Sequence, residues 1–396
     1  MDSRVKKGEN MKVVFFSNYF NHYQRSLSDA IYNIIGDDFC FIETEERDEK
    51  RVKLGWNFDN IPSYVKQSYV SANAMNECKD LILSADVAIT GSADATLEKL
   101  RLETGKLTFK YSERLNKPME GNWKKPLRTI KNFFKYHKYE NLYLLCASAY
   151  VSYDFGKSGL FKNKAYKWGY FPALKKYEDV NELMSHKKTG SIVWAARLLD
   201  WKHPGILIDV AERLKNTGYN DFKINIVGSG ELEDNIRTRV KEKHLETYVE
   251  LCGAMSPEKV REYMENAQIF LFTSDFNEGW GCVLNEAMNS ACAVVASHAA
   301  GSTPYLIHDH ENGFIYKSGD LDELYEKVKT LLDNRKMSDG FGKNAYETML
   351  NTWNANVAAE RFLCMAKKLL NKENVNKLYN EGPLSTAEII KNNWRK

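Results

Sequence analysis

Short apolar runs alternate with stretches of helical period along most of the chain, most clearly in its second half. Ser191 to Ala195 reads as a strand, and Pro204 to Lys215 as a helix with Ile206, Leu207, Val210, Ala211 and Leu214 on one face. Phe222 to Val227, Tyr248 to Cys252, Gln268 to Phe272 and Ala293 to Ala296 read as further strands. Helices are predicted over Glu231 to Lys243, from about Cys282, and over Leu321 to Leu332. Another opens at Ser256-Pro257-Glu258, with a serine cap and proline at the first helical position. The first half repeats the theme less cleanly. Its strands are expected at Val13 to Phe16, Phe39 to Ile42, Val87 to Thr90, Leu107 to Phe109 and Leu142 to Leu145, with helices near Arg25 to Ile35 and Ala72 to Leu83. Such alternation predicts parallel sheets covered on both faces, the doubly wound α/β class.

The pattern lapses between Tyr170 and Lys188, where charged residues surround Pro172, and the interdomain linker is placed there. At 396 residues the chain suits two domains of nearly equal size. The expected division is an N-terminal domain over 11–175, a C-terminal domain over 188–350, and C-terminal helices over 351–396. Val357 to Leu370 reads as a helix, followed by a polar tail with Gly382-Pro383 and one more short helix. Facing sheets of this kind leave a crevice at the carboxyl ends of their strands, where ligands bind.

Composition narrows the field. A hydrophobic content of 43% and a charged content of 28% fit a folded globular chain, and a net charge of +3 calls for no polyanionic partner. The seven cysteines are scattered and form no CxxC pair, which points away from a disulfide framework or a zinc site. Met1 to Asn10 is charged and the run at Val13 to Phe16 is too short for a secretory signal. No stretch approaches the roughly 20 apolar residues of a membrane span. A cytoplasmic protein is expected, with peripheral contact at the inner membrane face left open.

The most informative segment runs from Ser274 to Met288 and includes Asn277-Glu278-Gly279-Trp280-Gly281-Cys282-Val283-Leu284-Asn285-Glu286. It follows a strand and opens a helix, and its glycines let backbone approach a ligand. The first amides of a helix attract anions, phosphate above all. Glu278 in the loop and Glu286 in the helix suit hydrogen bonding to neutral polyols such as ribose or a hexose.

This segment resembles the E-x7-E signature of the family-4 retaining glycosyltransferases. Other stretches agree in order: Ala195 to Pro204 resembles the arginine–lysine loop, Ile226 to Leu232 the glycine turn, Leu251-Cys252-Gly253 a strand end beside the base, and Glu311 to Phe314 a late Asn-Gly turn. The resemblance covers about residues 188 to 335 and implies the GT-B fold, two Rossmann-like domains facing across a cleft with a C-terminal helix crossing back to the first. It implies that Arg197 and Lys202 neutralise a diphosphate and that Gly228 and Gly230 leave space near the nucleotide, beside Gly253. It also implies that the amides of Cys282, Val283 and Leu284 hold phosphate, that Glu286 binds ribose, and that Glu278 with the Gly279-Trp280-Gly281 backbone faces the donor sugar. The chain departs from the pattern at Ala291 and Ala293 and at Ala300 to Tyr305, where a Gly-rich turn with a glutamate is usual.

In the first half, Ser17 to Gln24 follows the first strand. Asn21, His22 and Gln24 either contact sugar or phosphate or cap the next helix, and His22 joins the candidate catalytic set. Glu113 serves as base or hydrogen-bond acceptor for the acceptor, or pairs with Arg114. From Lys106 to Lys138 ten basic residues meet two glutamates, a net +8, with Trp123, Leu127, Ile130, Phe133, Phe134 and Tyr136 interleaved. That suits either an anionic membrane surface or a solvated face; no nucleic-acid motif accompanies it. His308-Asp309-His310 reads as a turn, and no metal or cofactor is expected. The implied activity is retaining, metal-independent transfer from an NDP-sugar, with UDP favoured, to a saccharide or lipid-linked saccharide in polysaccharide synthesis. The alternatives are a nucleotide-sugar 2-epimerase of the same fold and a non-catalytic GT-B binding module.

Overall fold

The computed structural model describes residues 11–47, 60–120 and 124–395. Of the positions singled out above, Met1 to Asn10, Trp123 and Lys396 lie outside the described residues, as do the side chains of Glu120, Lys124 and Lys125.

Two parallel sheets carry the fold. The first contains β1 (Val13–Ser17), β2 (Phe39–Glu43), β3 (Val65–Gln67), β4 (Val87–Thr90), β5 (Leu107–Ser112), β6 (Leu142–Cys146) and β7 (Ala165–Lys167). Its spatial order is β3-β2-β1-β4-β5-β6-β7. The second contains β8 (Lys188–Ala195), β9 (Lys223–Val227), β10 (Val249–Gly253), β11 (Ala267–Phe272), β12 (Ala293–Ser297) and β13 (Phe314–Tyr316), in the order β10-β9-β8-β11-β12-β13. β1, β4, β11 and β12 are buried at every position, so their sequences read as unbroken apolar runs. In each sheet the order reverses once, between β1 and β4 and between β8 and β11, which puts a crevice above those strand ends.

The termination of each strand sets the site. Ser17 ends β1, and Asn21, in extended conformation, accepts hydrogen bonds from the amides of Tyr23 and Gln24 to start the helix His22–Ile35. The capping role of Asn21 is therefore the one its side chain fills. The helix Ala355–Leu370 crosses back onto the first domain, against His22–Ile35 and β5, as the fold implied. Phe362 seats 5.1 Å from Phe109, ring centre to ring centre, and each such buried ring contributes roughly 1.5–3 kcal/mol by leaving water. One continuous core joins β1, β5, Trp168 and Phe171 to β11, Trp280 and Phe362.

Several elements differ from expectation. Val180–His186 is a helix inside the segment read as linker, started by the Asp179 side chain. The tail forms no helix after Gly382-Pro383 among the described residues. It runs antiparallel to β7 instead: Leu384 N donates to Lys167 O, Lys167 N to Ser385 O and Ala387 N to Ala165 O. The open edge of β7 offers unpaired amides and carbonyls, and the tail satisfies them. Arg335–Asn351, a long helix, follows Leu321–Asp333 after the single residue Asn334.

Candidate functional site

β11 ends at Phe272, and the nine residues from Thr273 to Gly281 form the loop that leads into the helix Cys282–Asn289. Gly281 has φ 89°, a left-handed conformation, and a side chain there would run into the Phe272 ring. Only glycine fits this turn without strain. The turn aims the helix mouth out of the sheet, and no side chain among the described residues caps it. The amides of Cys282 and Val283 lie beyond the reach of intrahelical bonding. The Leu284 amide does not join them, because it donates to Gly281 O at 3.0 Å. That corrects the expected three-amide cradle to two.

Glu278 is buried in this loop and accepts from Ser274 Oγ (3.0 Å) and from the Lys202 ammonium. Lys202 comes from a short 3-10 turn after β8, fixed by a bond from Thr273 Oγ1 to Lys202 O (2.6 Å), while Trp194 Nε1 donates to Thr273 Oγ1 (2.8 Å). Its charge also lies 4.2 Å from the Trp201 ring centre. The lysine thus has a carboxylate partner in place, and an arriving anion would compete with Glu278 for it. Arg197 is different: its side chain is exposed and has no ion-pair partner among the described residues.

The glycine turn supports the Arg197 loop. Leu198 N donates to Ser229 O, and Ala196 N to Val227 O. A side chain at Gly228 would fall 2.9 Å from Ala196 C, and one at Gly230 2.6 Å from Leu198 O. These glycines are required for two backbones to pack together. Gly253 ends β10 with its carbonyl accepting from Gly228 N and with open space at its Cα. The Trp280 ring is buried in the interdomain core, where its Nε1 donates to Asn285 Oδ1 (2.8 Å) and its ring presses on Gly169. Only its backbone is left to face a ligand. Glu286 is half-buried, and burial raises its carboxyl above the ordinary range despite Arg261.

The first domain supplies the opposite wall. Glu113 leaves the end of β5 and lies against Gly279, so that a methyl added there would stand 2.7 Å from Glu113 Cδ. Tyr170 Oη donates to Glu113 Oε1 (2.7 Å), and Lys117 Nζ lies 3.4 Å from Oε2. Arg114 does not pair with Glu113; it is buried beside Asp154 instead. In the first turn of the helix His22–Ile35, His22 is exposed, and Gln24 is buried with Oε1 lacking a partner among the described residues. Tyr23, which the sequence reading passed over, spans the gap. Its ring lies 5.8 Å from Tyr170, and its hydroxyl is held protonated by burial and by Cys282, Glu286 and Glu278 across the cleft. The turn Ala300 to Tyr305 closes the same seam: Ala149 N donates to Gly301 O (2.9 Å), and Ser302 N to Trp280 O.

Residues 176–348 match the family model described as Glycosyl transferases group 1. That match covers the later half of the chain. The chain is 27% identical over 192 residues (48% of this chain, 38% of the relative) to the poly(ribitol-phosphate) alpha-N-acetylglucosaminyltransferase of Staphylococcus aureus. It is 32% identical over 155 residues (39% and 40%) to the N-acetylgalactosamine-N,N'-diacetylbacillosaminyl-diphospho-undecaprenol 4-alpha-N-acetylgalactosaminyltransferase of Campylobacter jejuni. The chain spans about two fifths of the length of these curated relatives. Among solved structures, Anabaena HepE in complex with UDP superposes with TM-score 0.67 at 15% identity, over 90% of this chain and 100% of that one. A Staphylococcus aureus TarM variant in complex with UDP and saccharides gives 0.62 at 14%, over 90% and 100%. The fold of these structures, two doubly wound domains across a cleft, is that of this chain.

Proposed function

We propose that this protein is a retaining glycosyltransferase that moves a sugar from a nucleoside diphosphate, UDP in the first instance, to a saccharide or lipid-linked saccharide hydroxyl. The observation that carries this reading is the uncapped mouth of the helix Cys282–Asn289, with the Lys202–Glu278 pair beside it and Glu113 facing it across the cleft. Diphosphate oxygens would take the Cys282 and Val283 amides and the exposed Arg197, and would draw Lys202 away from Glu278. Glu278, so released, accepts from a donor-sugar hydroxyl, and Glu286 from the ribose. Developing charge on the leaving diphosphate is then met by two cations and a helix dipole, the kind of electrostatic stabilisation that lowers such a barrier most. The anomeric C–O bond to diphosphate breaks as the acceptor oxygen bonds on the same face, and the acceptor proton passes to the diphosphate. Glu113, with Tyr170, orients the acceptor hydroxyl. His22 and Gln24 stand on that side as acceptor contacts. No metal is invoked; Arg197 and Lys202 fill a cation's place. The Campylobacter relative's name includes a diphospho-undecaprenol acceptor, which supports a lipid-linked substrate here.

Contact with the inner face of a membrane belongs to the same reading. The helix Lys124–Tyr136 has no acidic residue and exposes Leu127, Ile130 and Phe134. Much of the basic charge near it is engaged inward: Lys106 with the carbonyls of Leu83 and Ser84, Lys110 and Lys135 with Glu98, Arg114 with Asp154, Lys117 with Glu113, and Arg128 with Leu115 O. The apolar face therefore carries more of the membrane proposal than the net +8 suggested, with Lys131 and Lys138 adding roughly 1 kcal/mol each near anionic lipid. No helix among the described residues is long and apolar enough to cross a membrane.

A panel of NDP-sugars tests the function. Donor hydrolysis or transfer that requires the diphosphate is the expected outcome. Turnover to an epimeric NDP-sugar without acceptor would favour the 2-epimerase, and absence of any nucleotide binding would favour a binding module.

A further inference from the structure

Beside the cleft, a buried cluster joins both domains and the tail around one arginine. Arg114 is 6% exposed, and its guanidinium lies 4.7 Å from the Tyr150 ring centre and 5.7 Å from that of Phe276, which belongs to the loop carrying Glu278. Nε lies 3.5 Å from Asp154 Oδ2, and Nη2 donates to Asn392 Oδ1 of the tail (2.7 Å). Asp154 Oδ2 also accepts from the amides of Leu115 and Asn116 (3.1 Å each), which pins the chain just past Glu113. Nε and Nη1 make no hydrogen bond among the described residues, so stacking, one carboxylate and one amide hold the cation. Tyr150 completes the cluster: its hydroxyl donates to His298 O of the second domain and accepts from Trp394 Nε1 (3.0 Å), and its ring sits 5.5 Å from Phe276. The tail reaches further, to Asp309 and Glu323, through Arg395.

We propose that Arg114 is a positioning residue: packed against the rings of Tyr150 and Phe276, and tied to the C-terminal tail through Asn392, it sets the adjacent Glu113 against Gly279 of the donor loop. A planar, stacked guanidinium does this where an ammonium cannot, because a lysine offers no flat face and no fork. The order of the donor loop, the placement of Glu113 and the docking of the tail are then one coupled property. The link from loop order to turnover rests on the glycosyl-transfer reading; the coupling itself does not.

The test uses the full chain with Arg114→Lys, Arg114→Met and Asn392→Ala. In hydrogen–deuterium exchange, segments spanning 112–117 and 275–281 are expected to exchange about tenfold faster in the Arg114 variants, with β11 unchanged. Asn392→Ala should accelerate both segments less, in the same pattern. UDP affinity should stay within about twofold while kcat for transfer falls about tenfold, and Lys should not rescue what Met loses. If Arg114→Met fails to fold, Phe276→Leu, which removes only the ring facing the cation, is judged by the same exchange pattern. Wild-type exchange in both segments of Arg114→Lys overturns the proposal, whatever the protein's activity. Failure of the wild type to bind UDP would sink the glycosyl-transfer reading and leave the exchange result to decide this one.

Discussion

Gly279→Ala perturbs a close approach between the two walls of the cleft. The added methyl would stand 2.7 Å from Glu113 Cδ and 3.1 Å from Oε1. Carbon atoms in good contact are about 3.5–4.0 Å apart, so the carboxylate must retreat by about 1 Å. Glu113 is the end of a flexible side chain, half exposed, and it can retreat at little cost in folding; the change in stability should be under about 1 kcal/mol. Its functional position is less forgiving. A misplacement of about 1 Å can cost on the order of a hundredfold in rate, so kcat should fall roughly 10- to 100-fold, or about 1.4–2.7 kcal/mol in barrier. The assay is steady-state transfer with donor and acceptor varied separately, alongside urea unfolding. UDP affinity should change little, because the amides of Cys282 and Val283 are untouched. Glu113→Asp shortens the intruding side chain, and the double variant should lose less than the two single losses combined. Additive losses, or a Gly279→Ala enzyme with wild-type kcat, would refute the claim that Glu113 works from this position.

Gly228→Ala drives a side chain to within 2.9 Å of Ala196 C from a φ of 137°, and the rigid backbone on the other side cannot yield; a loss of about 2–4 kcal/mol is expected in denaturant unfolding. Tyr23→Phe keeps the ring beside Tyr170 and removes a hydroxyl that is electrostatically coupled to Cys282, Glu286 and Glu278, so kcat should fall about tenfold with little change in melting temperature. Glu286 has a raised folded pKa, so it favours folding fully below the ordinary carboxyl range and loses that contribution as pH rises through the raised value. Glu286→Gln should therefore melt above the wild type at neutral pH, converge with it in acid, and bind UDP more weakly; a variant that melts lower at neutral pH would contradict the sign.

The doubly wound fold was legible because the long strands are buried on both faces and the helices between them keep a clean apolar stripe. β3, β7 and β13 were not, since three residues are too few to establish a period. The helix Arg335–Asn351 lay hidden directly behind another, with only Asn334 between them. At the site, the two glutamates and the glycines stood out because they share one loop and one helix. Lys202 could be named but not its partner, which is 76 residues away. Asn21 drew attention as a polar residue in a loop, yet capping consumes it, while the neighbouring Tyr23 reads as core in sequence and reaches the cleft only once the domains face each other. The pairing of Arg114 with Asp154, in preference to the adjacent Glu113, is likewise set by the tertiary arrangement around β5 and the tail.

Everything proposed for catalysis depends on the diphosphate lying at the mouth of Cys282–Asn289 between Arg197 and Lys202. Titration calorimetry of UDP against uridine, on the wild type and on a variant carrying both Arg197→Ala and Lys202→Ala, measures that directly. The account predicts that UDP binds the wild type at least about 100-fold more tightly than uridine, some 2.7 kcal/mol, and that the double variant loses most of this difference. Equal affinity for UDP and uridine, or an undiminished preference in the double variant, would contradict it.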